Sequence, residues 1–258
     1  MIFSYLKRRR RNKILAEPCP SAWLDYLRDN VVHYRTLSPD EQARLRDDLR
    51  IFVAEKNWEG CGGLMMTDEI KVTIAALACL LVLAIDHDYF SSVDSILVYP
   101  RGYVVPEPTY IEDTTIMGEG ARLGEAWYRG PVVLSWADVQ SNAREPQSGE
   151  NLVWHEFAHQ LDMLDRAIDG TPPLGSREQY DKWIEVMNDE FDQLKADARA
   201  HRDTLLDTYG VASEAEFFAV ATESFFGTPV ELRARHPRLY ELLREYYHQD
   251  PAERMKKG

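Results

Sequence analysis

Residues 152–162, with the sequence Leu-Val-Trp-His-Glu-Phe-Ala-His-Gln-Leu-Asp, constrain this chain more than any other stretch. On a helix, His155 and His159 lie one above the other on a single face because they are four positions apart. Glu156 projects about 100° around the helix from His155, so it lies beside a metal ion that the histidines hold. This is the H-E-x-x-H pattern of zinc sites, although two histidines can also meet by chance on an ordinary amphipathic helix.

Composition bounds the class of protein. The chain has 258 residues, 45% of them hydrophobic, which is enough for the core of one large domain. Its net charge of −13 argues against a general nucleic-acid binder. Residues 7–13 contain six basic residues and no acidic one. We interpret residues 1–20 as a solvated basic arm and residues 21–258 as a single domain; contact of the arm with phosphate or an acidic partner is the alternative.

Cysteine usage and hydropathy indicate the compartment. Cys19, Cys61 and Cys79 are odd in number and lack C-x-x-C spacing, as expected for free thiols in a reducing environment. A short apolar piece precedes the basic run, which is the reverse of the order in a signal peptide. The longest apolar stretch, residues 72–85, is shorter than the ~20 residues of a membrane helix. We therefore expect a cytoplasmic protein with no membrane contact and no direct nucleic-acid contact.

The first third of the chain has mostly helical patterns. Apolar residues at helical spacing predict helices over residues 21–36 and 39–55, the second with Ser38 as its N-cap. A further helix over about residues 68–85 is apolar nearly all round, so we expect it to be buried and central. Between them, residues 58–63 have the pattern of a glycine-containing tight turn. Residues 21–90 thus form a helical subregion of the domain.

The rest of the chain adds strands and further helices. Residues 95–99 and 131–136 are strand-like, and the leading proline of the second run suits an edge or first position. An edge strand there is a place where an extended peptide can pair, with an ordinary sheet strand as the alternative. Weaker strand candidates are residues 103–105 and 110–117. The pattern predicts an α+β fold with later helices over residues 177–202, 214–226 and 230–247.

A catalytic zinc has three protein ligands and one open position, so a third ligand must come from elsewhere in the chain. Glu216 and Glu223 are seven residues apart, on one face of the same predicted helix. Glu216 lies three residues after Ser213, so a capping box is its alternative role; a solvated mid-helix carboxylate is the alternative for Glu223. Spacing alone leaves these options open, and the other downstream candidates are His201, His236 and His248.

Four segments of the chain carry a family resemblance: His155-Glu-Phe-Ala-His-Gln-Leu-Asp162, Tyr209-x6-Glu216-Phe-Phe-Ala-Val-x-x-Glu223-x-Phe-Phe226, Gly130-Pro-Val-Val-Leu-Ser-Trp136 and Val98-Tyr-Pro100. Through them the chain resembles the Mlc titration factor A family over about residues 23–243. That family comprises cytoplasmic zinc metallopeptidases whose core is similar to the catalytic domain of anthrax lethal factor. The resemblance implies a zincin-like core with a small mixed sheet, the H-E-x-x-H helix, and flanking N- and C-terminal helices.

The resemblance also implies roles for individual residues. One zinc ion per chain is expected on His155, His159 and Glu216, with Glu156 as general base and Tyr209 reaching the substrate oxyanion. For Tyr209 a half-buried loop aromatic is the alternative.

Two further carboxylates are candidates for orienting a zinc ligand by hydrogen bonding to the ring nitrogen that does not bind the metal. Asp162 lies one helical turn beyond His159, with a helix-surface acid as its alternative role. Glu223 is the second candidate, on the same helix face as Glu216.

The predicted activity is hydrolysis of peptide bonds by a zinc-activated water, of the aminopeptidase type that the resemblance implies. The resemblance implies a partner as well, the transcriptional repressor Mlc, which controls glucose-uptake genes. A regulatory protein that sequesters such a repressor without catalysis is therefore the alternative function.

Overall fold

The computed structural model describes residues 2–101, 130–145 and 149–255, with side chains from residue 5 onward. Within these residues the chain forms an α+β fold that is mostly helical, with one small sheet. The strands are β1 Asn57–Gly60, β2 Ser95–Tyr99 and β3 Val132–Ser135. The helices are α1 Ile2–Ala16, α2 Ser21–Asn30, α3 Val32–Thr36, α4 Pro39–Glu55, α5 Asp68–Leu81, α6 Trp136–Arg144, α7 Leu152–Asp162, α8 Arg177–Arg199, α9 Glu214–Gly227, α10 Pro229–Arg235, α11 Pro237–Tyr247 and α12 Pro251–Met255.

Local signals at the helix starts are confirmed. The Ser38 side chain accepts a hydrogen bond from the Glu41 N–H while the Glu41 carboxylate accepts one from the Ser38 N–H, a capping box that begins α4. Thr67 caps α5 through the N–H of Ile70. Nearly every residue of α5 is buried, so the predicted central helix is also confirmed, although it ends at Leu81.

The single helix predicted over residues 21–36 is wrong, because the structure divides it into α2 and α3 at Val31. Val31 is extended, with φ −113° and ψ 92°. At the end of α2, the buried Asn30 amide donates to Glu69 and Thr73 of α5. These contacts with a distant helix favour the break over one more turn of helix.

The tight turn predicted at residues 58–63 is wrong in its first half. Residues Asn57–Gly60 form β1, which pairs in parallel with β2 through the register Asn57↔Ser95 to Gly60↔Val98. The turn follows the strand, with Gly62 and Gly63 at positive φ. Only Trp58 in this segment favours a strand, so the pairing with β2 decides its structure.

The sheet has the order β1-β2-β3, and both pairings are parallel. The predictions of β2 and β3 are confirmed, except that Trp136 begins α6. The mixed pairing that was expected is not found among the described strands. The weaker candidates at residues 103–105 and 110–117 lie outside the described residues, while β3 lies at one edge of the described sheet.

The basic N-terminal segment is the helix α1, which packs on α4. The Arg11 guanidinium binds both oxygens of Glu55 at 2.9 and 2.7 Å and lies 2.8 Å from Asp88. Lys7 pairs with Asp88 at 2.5 Å. The interpretation of this run as a solvated arm is therefore wrong for the face toward α4, because Lys7 and Arg11 are paired with the half-buried Glu55 and the exposed Asp88. The division of the chain at residue 20 stays a prediction.

In the described part of the chain, no helix combines the length and apolar character that crossing a bilayer requires. The three cysteines are free thiols, as expected. The core lies around α5, against which α7 packs, and α9 packs in turn on α7. This arrangement brings residues about sixty positions apart in the chain to one place.

Candidate active site

Helix α7 is oriented by its buried side. The Trp154 indole N–H donates to the Leu77 carbonyl of α5 at 3.2 Å. Asn151 is the N-cap of the helix, and its side chain accepts a hydrogen bond from the Trp154 N–H. Because the opposite face packs in the core, His155, Glu156 and His159 remain only partly buried. The residues of α7 that pack in the core are Val153, Trp154, Phe157, Ala158 and Leu161.

Three predicted ligands converge at one point. His155 Nε2 lies 2.9 Å from Glu216 Oε2 and 3.2 Å from His159 Nε2, and His159 Nε2 lies 3.5 Å from the same Glu216 oxygen. Zinc bonds of ~2.1 Å in tetrahedral geometry separate ligand atoms by ~3.4 Å, so these distances fit one zinc ion. Two imidazoles and one carboxylate are also the donor set of catalytic zinc. The structure therefore brings together the three residues that the family resemblance implies.

The remaining candidates for the third ligand lie elsewhere. The His236 ring is paired with Glu190 at 2.7 Å. His201 and His248 are exposed residues with left-handed backbone conformations at helix ends. Among the described residues, His155, His159 and Glu216 form the one group of three such side chains whose donor atoms all lie within 4.8 Å of one another.

Glu223 contacts the other nitrogen of the same histidine. Its Oε1 lies 2.7 Å from His155 Nδ1, and its Oε2 accepts the backbone N–H of Asn151. The interpretation of Glu223 as a solvated carboxylate is wrong, since the residue is 7% exposed. A carboxylate at Nδ1 holds the proton there and leaves Nε2 with a free lone pair for a metal.

The start of α9 gives Glu216 its direction. The Ser213 side chain caps the helix by accepting the Glu216 N–H at 3.2 Å. The Glu216 carboxylate itself contacts His155 and His159, so the reciprocal bond of a capping box is not formed.

The histidines and carboxylates of the site shift one another's pKa values. Burial lowers the pKa of His155, but the hydrogen bonds to Glu216 and Glu223 outweigh it and raise the pKa to about 10. Burial raises the pKa of Glu216, and the hydrogen bonds to the two histidines outweigh this effect and lower it to about 2. Burial raises the pKa of Glu156 despite the nearby histidines. Three carboxylates around two histidines create a negative potential that favours a bound cation.

An open cleft of about 410 Å³ is lined by His155 and Glu156 of α7. Tyr209 lines it, with its ring centroid 6.0 Å from the His155 ring and 57% of the residue exposed. Burial, together with the charges of Glu216 and Glu156, raises the pKa of the Tyr209 hydroxyl, which keeps its proton available for donation. The cleft lining includes five carboxylic acids and neither Lys nor Arg: Asp138, Glu150, Glu156, Asp207 and Glu223.

Asp162 does not have the contact that was expected. It is fully buried, so the helix-surface alternative is wrong. Its Oδ2 accepts the Gly170 N–H at 2.9 Å, and it forms no hydrogen bond with His155 or His159. Burial raises its pKa to about 6. The residue therefore anchors the loop that follows α7 instead of orienting a ligand by a direct hydrogen bond.

Several residues of the site were missed from the sequence. The backbone N–H of Asn151 donates to the Glu223 carboxylate. An asparagine directly before the predicted helix is a typical N-cap residue and could have indicated this position. Asp207 accepts the Tyr209 N–H at 2.8 Å, a turn that the Asp-x-Tyr spacing could have indicated. Asp138 reaches the cleft from α6, and no local signal connects it with the histidines.

Comparison with known proteins is consistent with this geometry. A family model described as glucose-regulated metallo-peptidase M90 matches residues 5–248, which include every candidate site residue. The chain is 36% identical over 244 residues to an uncharacterized protein of Synechocystis sp., covering 94% of this chain and 89% of that protein. It is 30% identical over 237 residues to proteins named Mlc titration factor A from Yersinia pestis and Yersinia pseudotuberculosis, covering 88% of this chain and 85% of each.

Proposed function

This chain belongs to the glucose-regulated metallo-peptidase family M90, and from that premise we propose that it is a zinc-dependent peptidase of the aminopeptidase type. The observation that carries the proposal is the convergence of His155 Nε2, His159 Nε2 and Glu216 Oε2 beside Glu156 at an open cleft. Two imidazoles and a carboxylate that leave one side open suit a catalytic zinc better than a closed structural one. The parallel sheet, α7 and α9 then correspond to a zincin-like core.

Each residue has a task in this reaction. His155, His159 and Glu216 would hold a zinc ion, which would supply a bound water of pKa about 7 and a Lewis acid for the scissile carbonyl. Glu223 holds the His155 ring so that Nε2 faces the metal position. Glu156 accepts a proton from the attacking water and delivers it to the leaving amine. Tyr209, at the cleft wall, donates its hydroxyl proton in a hydrogen bond to the oxyanion.

The charge of the cleft supports the aminopeptidase type. Its lining contains five carboxylic acids and no Lys or Arg among the described residues. A substrate with a free α-ammonium group gains from this negative potential, whereas an acylated N-terminus does not. We therefore propose short peptides with free N-termini as the substrate class.

The test is the Glu156→Gln variant, assayed for zinc content and for hydrolysis of an aminoacyl anilide and of its N-acetylated form. The wild type should cleave the free anilide faster than the acetylated one. Glu156→Gln should keep its zinc and lose hydrolysis, while Glu145→Gln, which changes an exposed acid at the C-cap of α6, should match the wild type. Hydrolysis at wild-type rate by Glu156→Gln contradicts the peptidase mechanism, and a preference for the acetylated anilide contradicts the aminopeptidase type.

A second role is supported by the names of the relatives, which are called Mlc titration factor A. We propose that this chain also binds a transcriptional repressor of the Mlc type, a role that requires no catalysis. Glu156→Gln separates the two roles: the catalytically inactive variant should bind the repressor as tightly as the wild type in a calorimetric titration. Absence of binding by both proteins would exclude this partner.

A further inference from the structure

A second cavity lies among α2, α3 and α4, and it shares no lining residue with the active-site cleft. Its volume is about 490 Å³, within the usual range for small-molecule sites. The lining contains three guanidinium groups and no carboxylate. The residues that line it are Cys19, Leu24, Arg28, Tyr34, Arg35, Gln42 and Arg46.

Two of these arginines are held in place by neutral partners. Arg35 Nε donates to the Arg28 carbonyl at 2.9 Å, and an Arg46 terminal nitrogen donates to the Tyr34 hydroxyl at 2.7 Å. Neither side chain has an ion-pair partner within the described residues. Each guanidinium is therefore fixed through one nitrogen and keeps further N–H donors for a ligand. Arg28 contributes a third positive charge, paired with the exposed Asp25 at 3.0 Å.

The rest of the cavity is largely apolar and well supported. Tyr34 is buried, and Leu24 and Cys19 are half-buried. The Gln42 amide donates to the carbonyls of Tyr34 and Leu37, which fixes the connection between α3 and α4 beside the cavity. The cavity thus combines a cationic side with an apolar side.

We propose that this cavity binds a small organic phosphate, with the phosphate on Arg35, Arg46 and Arg28 and the apolar part of the ligand against Leu24 and Tyr34. A phosphate monoester carries about −1.5 to −2 charges at pH 7 and three acceptor oxygens, which matches two carboxylate-free guanidinium groups. A net charge of −13 repels anions from the molecule as a whole. The cavity has three arginines and no acidic residue in its lining, so it is locally positive in a protein that is negative overall.

The test is isothermal titration calorimetry of the full chain with phenyl phosphate, inorganic phosphate and benzoate. Phenyl phosphate should bind saturably and more tightly than the other two, because benzoate carries a smaller charge and fewer acceptor oxygens, and inorganic phosphate lacks an apolar part. Arg35→Gln and Arg46→Gln should each weaken it by about tenfold or more, as expected for the loss of a charge-assisted hydrogen bond. Arg44→Gln, which removes the same charge from an exposed position on α4, should bind like the wild type.

Two controls keep the result interpretable. Arg46→Gln also removes the hydrogen bond to the Tyr34 hydroxyl, so the thermal unfolding of each variant is measured. If Arg46→Gln does not fold, the effect of Arg35→Gln on binding decides the test. Glu156→Gln should bind phenyl phosphate like the wild type, since the cavity is separate from the proposed catalytic site. The proposal is overturned if phenyl phosphate does not bind saturably, if Arg35→Gln binds it unchanged, or if benzoate or inorganic phosphate binds as tightly.

Discussion

His155 uses its two ring nitrogens for two different tasks. Nε2 faces Glu216 and His159, whereas Nδ1 faces Glu223, and the two carboxylates come from one face of α9. Seven residues of helix separate Glu216 from Glu223, which corresponds to about 10 Å of rise, so they reach opposite sides of one imidazole. We therefore assign Glu216, at Nε2, the role of a zinc ligand and Glu223, at Nδ1, the role of orienting His155.

Comparison of Glu216→Ala with Glu223→Ala tests this assignment. Glu216→Ala should lose stoichiometric zinc, because it removes one of three donor atoms. Glu223→Ala should retain zinc with an affinity weakened by about 10- to 100-fold, the usual effect of losing a residue that orients a ligand. Zinc content after dialysis and a chelator competition titration measure both effects. Full zinc in Glu216→Ala together with loss in Glu223→Ala would reverse the two roles.

Tyr209→Phe tests the oxyanion contact. Removal of the hydroxyl should lower kcat by about 10²- to 10³-fold while leaving zinc content and KM nearly unchanged, because the hydroxyl acts on the transition state. Tyr180→Phe, which removes a hydroxyl from an exposed position on α8, should behave like the wild type. An unchanged kcat in Tyr209→Phe would assign Tyr209 to the cleft wall alone.

At the scale of elements, the loop after α7 packs closely against the beginning of α9. Gly170 donates its N–H to Asp162 and accepts the Trp183 indole N–H at 3.0 Å. Its φ is +75°, and a Cβ at this position would lie 2.3 Å from the Glu214 carbonyl oxygen. Since Glu214 begins the helix that carries Glu216, we expect the position of this proposed third ligand to depend on the close approach of Gly170.

Gly170→Ala should therefore affect both stability and zinc binding. Gly63 provides a matched control, because it has φ +82° but no atom within 4 Å of an added Cβ. Gly63→Ala should cost about 1 kcal/mol from backbone strain, and Gly170→Ala several kcal/mol from strain and steric conflict together. Urea unfolding midpoints and zinc affinity check this expectation. Equal effects of the two substitutions would show that the contact with α9 has no role.

At the scale of the whole molecule, His33 joins the N-terminal helices to α7 and α9, the two helices that carry the proposed zinc ligands. The residue is buried, its Nε2 contacts the Phe226 carbonyl at 3.0 Å, and its ring lies 4.8 Å from Trp154. Burial lowers its pKa to about 4 despite the carbonyl, and the positive charge of Arg254 on α12 adds to this effect. His33 is therefore neutral in the folded protein near pH 7.

Acid should weaken the fold through this residue. Between pH 6.5 and about 4 the unfolded chain binds a proton at His33 that the folded chain does not, so stability falls as pH falls through this window. The contribution amounts to ~3 kcal/mol. His33→Gln should reduce the loss of urea stability between these pH values, whereas His201→Gln, at an exposed position, should leave it unchanged. A pH dependence in His33→Gln equal to that of the wild type would contradict this prediction.

The sequence by itself determined what depends on residues close together in the chain. The shared face of His155 and His159, the cap at Ser38 and the buried character of α5 all follow from residues within or next to one helix. The family resemblance added the third ligand, but spacing left Glu216 and Glu223 as equal alternatives.

Only the tertiary structure decided what depends on contacts between distant segments. Glu216 lies 61 residues from His155 and Glu223 lies 68 residues from it, and which nitrogen each contacts follows from the packing of α9 on α7. Pairing with β2 made β1 a strand, and contacts with α5 favoured the break at Val31. The arginine cavity likewise exists only where α2, α3 and α4 meet. The free energy of each choice comes from burial and hydrogen bonds between elements, which local sequence preference does not contain.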